Sequence, residues 1–320
     1  MLVNFWGTRG SLPVAQTGPA IRRKIALALV AAKGRSFSGQ AEAEAFVEAE
    51  LDFATGGTYG GATTCVELEV EGGPFFVCDM GSGLREFGIS ALKRCASGHA
   101  RTYNFFMSHL HWDHIMGFPF FAPAFDPEAR IVIHSGHSDA EEALRRQQEA
   151  ISFPVPFDWL RARIEFITVK AGERYHVDGL DVEVMEQHHS HSSYGYRFTN
   201  AAGKTLVFST DSEHKIDSME SEAEIVRFFR EADLVICDTM YSLADSVSMK
   251  EDWGHSSNIV TVDLCHAAQA KRLALFHHEP IYSDEDIQRL HAETLRYEEL
   301  TRCGPALEVL CAYDGLQARL

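Results

Sequence analysis

Short apolar segments separated by polar and glycine-rich stretches recur in both halves of the chain. Several alternate apolar and polar residues with a period of two, others are continuously apolar, and both patterns are typical of β-strands. In the first half these segments are "LVNFWG" (2–7), "TTCVELEV" (63–70), "PFFVCDM" (74–80), "TYNFFMS" (102–108) and "RIVIHSG" (130–136). In the second half they are "IEFITV" (164–169), "LDVEVMEQ" (180–187), "YGYRFTN" (194–200), "TLVFSTD" (205–211), "DLVICDTM" (233–240), "LALFHH" (273–278) and "LEVLCAYDG" (307–315). The pattern therefore predicts two successive groups of strands.

Helical patterns interrupt both groups of strands. The segment "PAIRRKIALALVAAKG" (19–34) starts with a proline, ends with a glycine and places Ile21, Ile25, Ala28 and Leu29 on one stripe. A second, acidic helix is predicted at "QAEAEAFVEAELDF" (40–53). Four more segments begin with a Ser or Asp cap, at 138–151, 221–232, 256–270 and 283–300. We expect an α/β fold of the α+β kind, with two sheets face to face and helices outside, formed by residues 1–320 as one domain.

Charge and composition narrow the function. The formal net charge of the 320 residues is −17 and no long basic run occurs, so nucleic acid is disfavoured as a partner. No stretch approaches the roughly 20 apolar residues of a membrane-spanning helix, and "MLVNFWGTRG" lacks the basic region of a signal peptide. The seven cysteines form no C-x-x-C pair and lie mostly in apolar segments, which favours reduced thiols and a cytoplasmic location.

The segment "SHLHWDHIMG" (108–117) concentrates chemistry at the end of an apolar strand. It places His109, His111, Asp113 and His114 within six positions, and imidazole and carboxylate groups together suit Zn, Mn or Fe. Three further strand ends carry the same residue types. They contribute His188, His189 and His191, then Asp211, and finally His277 and His278. This repetition predicts a metal site assembled from several strand ends.

In these strings the chain resembles the metallo-β-lactamase superfamily. It is most similar to the phosphodiesterase branch, which includes tRNA 3′-processing endonucleases and cyclic-nucleotide phosphodiesterase-like hydrolases. The shared strings extend over nearly the whole chain. They are "FWGTRGSLP" (5–13), "YGGATTCVEL" (59–68), "CDMGSGLR" (78–85), "SHLHWDHIMGFPFF" (108–121), "GYRF" (195–198), "STDSE" (209–213), "WGHSS" (253–257) and "LFHHEP" (275–280).

The resemblance implies a four-layer αββα sandwich with two divalent metal ions, zinc favoured and manganese or iron as alternatives. It assigns His109, His111 and His189 to one ion, Asp113, His114 and His277 to the other, and Asp211 as the bridge. His189 is preferred because it precedes Tyr196 by seven residues, and His277 because it comes first after its strand; His188 or His191, and His278, remain the alternatives.

The resemblance also implies a mechanism in which a metal-bridging hydroxide attacks the substrate. The catalytic candidates are Asp113 and His255, with His255 as the proton donor to the leaving group. Asp79 resembles the residue that orients the ligands through hydrogen bonds in this branch, and an Asx-turn before Gly81 and Gly83 is an equally compatible role for it. Glu213 and Asp238 are weaker candidates for the ligand-orienting role, because a cap or turn is the favoured explanation for each of them.

We therefore expect a metal-dependent hydrolase, a phosphodiesterase acting on a small or cyclic nucleotide-like diester. The alternative enzyme is a lactone, thioester or carboxylic ester hydrolase with the same site. A non-catalytic metal-binding sensor or interaction module is the second alternative, although all seven ligand positions are filled. The helical insertion at about 15–57 departs from the family pattern and is expected to be a lid, a homodimer contact or surface elaboration.

Overall fold

The computed structural model describes residues 1–70, 72–214, 219–242 and 254–320, so Trp253 of the "WGHSS" string lies outside the described residues. Fourteen strands in this part of the chain form two sheets of seven. The first sheet has the order β14-β1-β2-β3-β4-β5-β6 and the second the order β13-β12-β11-β10-β9-β8-β7. The strands of the first sheet are β1 (Leu2–Gly7), β2 (Cys65–Glu69), β3 (Phe75–Cys78), β4 (Thr102–Met107), β5 (Arg130–Ser135), β6 (Arg163–Thr168) and β14 (Gln317–Arg319). Those of the second are β7 (Arg174–Val177), β8 (Leu180–Gln187), β9 (Ser193–Asn200), β10 (Thr205–Ser209), β11 (Leu234–Asp238), β12 (Arg272–Phe276) and β13 (Glu308–Cys311).

Each sheet combines an antiparallel half with a parallel half. In the first sheet β3, β4, β5 and β6 run parallel, and in the second β10, β11, β12 and β13 do the same. Parallel strands end at a common edge of the sheet, so the residues that follow β3, β4, β10 and β12 can converge.

Helices cover the outer faces of both sheets. The α-helices of the described residues are α1 (Gly18–Ala31), α2 (Gln40–Glu50), α3 (Phe53–Gly56), α4 (Leu84–Ala96), α5 (Trp112–Ile115), α6 (Ala140–Gln147), α7 (Met219–Phe229), α8 (Asn258–Ala267) and α9 (Asp284–Thr301). Short 3₁₀ helices span Phe118–Phe120, Ala122–Phe125 and Phe157–Trp159. None of the described helices is both long and apolar enough to cross a membrane.

Alternation along the strands produces three apolar layers. Phe76 and Phe106 face the second sheet, where they belong to a core that also contains Phe208. Their neighbours Phe75 and Phe105 face the opposite side and pack in the layer under α4. Residues of β10, β11 and β12 similarly pack on α7 and α8. Because a strand directs successive side chains to opposite faces, these layers confirm the predicted αββα sandwich.

The helical insertion is present and is fastened to the body of the fold. Its helices α1, α2 and α3 lie between β1 and β2 in the chain, and the buried carboxylate of Asp284 at the start of α9 anchors α1 and the segments that flank the three helices. Asp284 forms an ion pair with Lys24 and accepts hydrogen bonds from Gln16 Nε2 (2.9 Å) and Tyr59 N (2.9 Å). The two helices predicted in this segment are therefore observed, whereas its role and the single-domain organisation stay predictions.

Candidate metal centre

The candidate site is built where three strands end in strained backbone. Asp79 follows β3 with φ of 59°, Asp211 follows β10 with φ of 49°, and His277 follows β12 with φ of 60°. Non-glycine residues rarely adopt this left-handed conformation, and it costs on the order of 1–3 kcal/mol at each residue. The fold thus turns these polar side chains sharply toward one edge shared by the two sheets.

Three histidines form the first donor set. They are His109, just after β4, His111, which caps α5, and His189, in the connection between β8 and β9, and one nitrogen of each lies within 4.8 Å of the others. His189 Nε2 is 3.3 Å from His111 Nδ1. His109 is buried, His189 is half-buried and His111 is exposed, so this set opens toward solvent.

Two carboxylates and two histidines form the second donor set, which is entirely buried: Asp113, His114, Asp211 and His277. His114 Nε2 lies 3.1 Å from Asp113 Oδ2 and 3.1 Å from Asp211 Oδ2. His277 Nε2 lies 3.3 Å and 3.2 Å from the same two oxygens. Asp113 Oδ2 also accepts a hydrogen bond from the backbone N–H of Ser11 (2.8 Å).

Asp211 lies between the two donor sets. Its Oδ1 is 3.8 Å from His109 Nε2 and 3.8 Å from His189 Nε2, while its Oδ2 faces the second set. A carboxylate that presents a different oxygen to each of two nitrogen-rich sets has the geometry of a bridging ligand.

The arrangement of the donor groups suits metal binding better than direct hydrogen bonding between them. His114 donates Nδ1–H to Asp79 Oδ2 (2.7 Å), so Nε2 is the nitrogen that faces two carboxylates. The Nε2 atoms of His109 and His114 are buried, and neither forms a hydrogen bond with any described residue. Lone pairs and carboxylates that point at each other repel unless a proton or a cation lies between them. Imidazole nitrogen and carboxylate oxygen are suitable ligands for Zn, and also for Mn and Fe.

Burial and neighbouring charges prepare the first set to bind a cation. Burial, together with the charge of His114, holds the pKa of His109 well below its ordinary value. Burial is also the main cause that lowers the pKa of His111 and of His189. The three imidazoles are therefore neutral at pH 7, the form that binds metals.

The second set is strongly anionic. Burial opposes ionisation of Asp113 and Asp211, but the neighbouring histidines outweigh it and hold the pKa of both carboxyls well below the ordinary value. Burial likewise disfavours a charge on His114, but the surrounding carboxylates outweigh it and raise its pKa well above the ordinary value. Without a metal, a proton on His114 thus balances charge that a divalent cation would balance more fully.

Outer hydrogen bonds fix which nitrogen of each histidine points inward. Asp79, which is fully buried, accepts from Ser108 N (2.7 Å), from Ser108 Oγ (2.8 Å) and from His114. Because Ser108 Oγ donates to Asp79, it accepts from His109 Nδ1 (3.1 Å) and leaves Nε2 of that ring free. This is the ligand-orienting arrangement expected for Asp79.

His189 is oriented by the backbone of Gly254. Its Nδ1 donates to the Gly254 carbonyl (2.9 Å), and Gly254 N in turn donates to the Glu213 carboxylate (3.3 Å). Gly254 has φ of 83°, and a Cβ at this position would lie 2.3 Å from His189 Nδ1. Only glycine allows this close approach without displacing the histidine.

His255 borders both donor sets. Its ring stacks on that of His277, with centroids 5.1 Å apart, and its centroid is 5.3 Å from that of His189. His255 Nδ1 donates to Asp238 Oδ2 at 2.6 Å. Burial disfavours the charged ring, but Asp238 outweighs it and raises the pKa of His255 to about 9.

The structure leaves the neighbouring histidines outside the two donor sets. His188 and His191 are exposed. His278 is buried, donates Nε2–H to the Ala312 carbonyl (2.7 Å) and has its pKa lowered to about 3, mainly by burial. The structure thus brings together the seven residues His109, His111, Asp113, His114, His189, Asp211 and His277, with His255 beside them.

Sequence reasoning missed Ser108 and underrated Asp238. Ser108 opens the string "SHLHWDH", but nothing in the string shows that a serine hydroxyl connects Asp79 with His109. Asp238 does form the turn expected of it, since Oδ1 accepts from Met240 N (2.9 Å), but its second oxygen holds His255. The available signal was its position as the last residue of β11, a strand adjacent to β10 and β12.

Comparisons with known proteins bear on the family of the chain. A family model described as "Beta-lactamase superfamily domain" matches residues 91–278, more than half of the chain. Ribonuclease Z from Exiguobacterium sibiricum is 24% identical over 231 residues, which cover 59% of this chain and 74% of the relative.

Several solved structures match nearly the entire chain, and two of them illustrate the likeness. The metallo-β-lactamase fold protein YhfI from Bacillus subtilis has a TM-score of 0.62 at 15% identity, covering 99% of this chain and 98% of that one. A diphosphatase of the PhnP family has a TM-score of 0.61 at 18% identity, covering 100% and 97%. At these identities the structural likeness establishes the fold. Because the family model matches more than half of the chain, this chain belongs to the β-lactamase superfamily.

Proposed function

We propose that this β-lactamase superfamily hydrolase is a dinuclear phosphodiesterase that cleaves a small or cyclic nucleotide-like diester. The observation that carries the proposal is the position of Asp211, which presents one oxygen to each of two donor sets while His255 borders both. A phosphodiester needs charge neutralised on its phosphoryl oxygens, a positioned water and a proton for the leaving alkoxide. The two sets and His255 provide a place for each of these three requirements.

The proposed first cation is held by His109, His111 and His189, and the second by Asp113, His114 and His277, with Asp211 shared. Zinc is the metal that we propose, with manganese or iron as alternatives, because the donors are imidazoles and carboxylates. When bound, the two cations would supply Lewis-acid charge and an activated water.

The chain's own residues supply orientation and the proton. Asp79 and Ser108 hold the imidazoles of His109 and His114 with Nε2 inward. Asp238 accepts from Nδ1 of His255, which leaves Nε2 as the atom that delivers a proton to the leaving oxygen. In this proposal the catalytic role of Asp113 is that of its carboxylate as a ligand of the second cation. The backbone N–H of Ser11 holds that carboxylate in place, and Asp113 does not transfer a proton.

A small substrate is favoured over RNA by charge. The chain carries a formal net charge of −17, which opposes the approach of a polyanion. Ribonuclease Z and the diphosphatase are both named for reactions at phosphate, and they support the choice of a phosphate bond over a carbon ester. We also propose a cytoplasmic location, because six of the seven cysteines are buried free thiols that pack in the apolar layers.

The test compares three classes of substrate on metal-stripped protein reloaded with Zn, Mn or Fe. Bis(p-nitrophenyl) phosphate represents a small diester, p-nitrophenyl acetate and a lactone represent carbon esters, and a structured precursor RNA represents the large polyanion. We expect metal-dependent turnover of the diester that His111→Ala abolishes. His188→Ala is the matched control, because His188 is an exposed histidine one residue from His189 and lies outside both donor sets.

Each other outcome rejects part of the proposal. Turnover of the ester or lactone with an inert diester would identify a carbon-ester hydrolase. Cleavage of RNA with an inert diester would reject the small-substrate class. Two tightly bound ions per chain without turnover of any substrate would point to a metal-binding sensor or interaction module.

A further inference from the structure

The outer face of the helical insertion is apolar and uncovered. Helix α1 contains no buried residue, and its stripe of Ile21, Ile25 and Leu29 is 46%, 54% and 69% exposed. The adjacent row of Ala20, Lys24 and Ala28 is partly covered, and Lys24 forms an ion pair with Asp284 in the body of the fold. An apolar stripe at i, i+4 and i+8 normally faces a core, and one that faces solvent marks an interaction surface.

Helix α2 carries a second apolar row beside a groove. Ala43, Val47 and Leu51 line this groove of about 690 Å³ together with Phe53. Glu44 and Glu48 directly follow Ala43 and Val47 in the sequence and also line the groove. An acidic row therefore borders the apolar row.

The charges of the two helices are opposite. Residues 18–35 contain five basic and no acidic residues, whereas residues 40–52 contain five acidic and no basic residues. Three of the basic side chains are already paired within the chain, Arg23 with Glu285, Lys24 with Asp284 and Arg35 with Glu50. Within the described residues, no ion pair involves Arg22, which borders the α1 stripe, or Glu44 and Glu48 of the groove.

We infer that a second copy of this chain covers the surface, with α1 of each copy packed in the α2 groove of the other. This pairing brings an apolar stripe with a basic border against an apolar row with an acidic border, and it does so twice about one two-fold axis. Packing α1 on α1 would instead bring two basic helices together. The lengths also match, because 14 and 11 residues correspond to helices of about 21 and 17 Å. The inference does not depend on the proposed activity.

The test measures the mass of the metal-loaded protein by light scattering coupled to size-exclusion chromatography at micromolar concentrations. We expect the wild type to have twice the chain mass of 35.7 kDa. Leu29→Glu removes burial of one leucine in each of the two symmetry-related contacts and should weaken the dimer roughly 10²- to 10⁴-fold. Ile151→Glu is the matched control, since Ile151 is 93% exposed and lies outside the insertion. Unchanged circular dichroism and metal content would show that each variant is folded.

A charge exchange tests the pairing itself. Glu44→Lys with Glu48→Lys should weaken the dimer, and adding Arg22→Glu should restore part of the affinity. A monomeric wild type would overturn the inference. A dimer insensitive to Leu29→Glu would show that another surface is used, which also overturns it. A dimer broken by Leu29→Glu but indifferent to the charge changes on α2 would reject the α1–α2 pairing.

Discussion

Acidification should destabilise the protein through His134, a histidine far from the metal ligands in sequence and buried between the sheets. The His134 ring stacks on Phe106, with centroids 4.7 Å apart and planes 7° apart, and on Tyr175 at 5.7 Å. Neither ring nitrogen forms a hydrogen bond with a described residue, and the side chain is 2% exposed. Burial is the main cause that lowers the pKa of His134 to about 4.

The size of the effect follows from the two pKa values. The unfolded chain takes up a proton on this histidine as the pH falls below 6.5, whereas the folded chain resists until the pH approaches 4. The unfolded state therefore binds more protons throughout this window, so stability falls as the pH falls through it. Between pH 6.5 and pH 5 the loss amounts to about 2 kcal/mol, from about 1.4 kcal/mol for each pH unit.

The variant His134→Phe removes the titrating group and keeps the stacked ring. We expect urea unfolding to show a smaller loss of stability between pH 7 and pH 5 for this variant than for the wild type, by about 2 kcal/mol. Other groups that titrate in this range, including the metal ligands, are common to both proteins and cancel in the difference. At pH 7 the variant should be at least as stable as the wild type, because it buries no unsatisfied nitrogen.

The control is Tyr175→Phe, which changes the other ring stacked on His134 and should leave the pH dependence as in the wild type, because neither tyrosine nor phenylalanine titrates between pH 5 and pH 7. Parallel stability curves for wild type and His134→Phe would refute the reasoning. They would mean that the buried ring titrates as it does in the unfolded chain.

Three further predictions concern the metal centre. Asp211→Asn should reduce the bound metal, measured by elemental analysis, from two ions per chain. It should lower diester hydrolysis by more than the roughly 10- to 100-fold typical of a residue that only orients a ligand, because both donor sets share this carboxylate. Full metal occupancy in the variant would reject the bridging role. Asp79→Asn should weaken metal binding by roughly 10- to 100-fold in a chelator competition while the fold is kept, because His114 loses the carboxylate that fixes its ring; unchanged affinity would contradict it. His255→Ala and Asp238→Asn should each lower kcat, by roughly 10²- to 10⁴-fold for the alanine variant, with metal content unchanged. Both losses should be small for a p-nitrophenolate leaving group and large for an alkoxide, and equal losses for the two would argue against proton donation.

The sequence was informative where local patterns determine structure. The apolar segments "PFFVCDM" and "TYNFFMS" predict strands, and the structure confirms them as β3 and β4, with Phe76 and Phe106 on one face and Phe75 and Phe105 on the other. The density of histidine and aspartate at strand ends also indicates a metal centre from the sequence alone. The predicted helix at 19–34 is observed as α1, but its apolar stripe faces outward, because amphipathicity alone does not say what covers a helix.

What the sequence could not provide is the relation between residues distant in the chain. The choice between His277 and His278 depends on the backbone turn after β12. With φ of 60° at His277, that ring lies 3.3 Å from Asp113 Oδ2, whereas the next ring turns away to Ala312. The contact of Asp238 with His255 joins residues 17 positions apart and depends on the same kind of placement. No periodicity encodes a left-handed residue that is not glycine, because its cost is borne by the surrounding structure.

The recurrence of this strained turn explains why the site is located at the shared edge of the sheets. Asp79, Asp211 and His277 each adopt the left-handed conformation immediately or almost immediately after a strand, and the backbone before each is fully buried. A strained residue of this kind persists only where surrounding contacts fix its backbone conformation. The ends of β3 and β12 are buried on both faces and therefore provide such contacts. A loop could carry the same side chains without strain, but it would hold them less precisely. The rigid sheets therefore stabilise three costly turns, and those turns hold the side chains of Asp79, Asp211 and His277 at fixed positions.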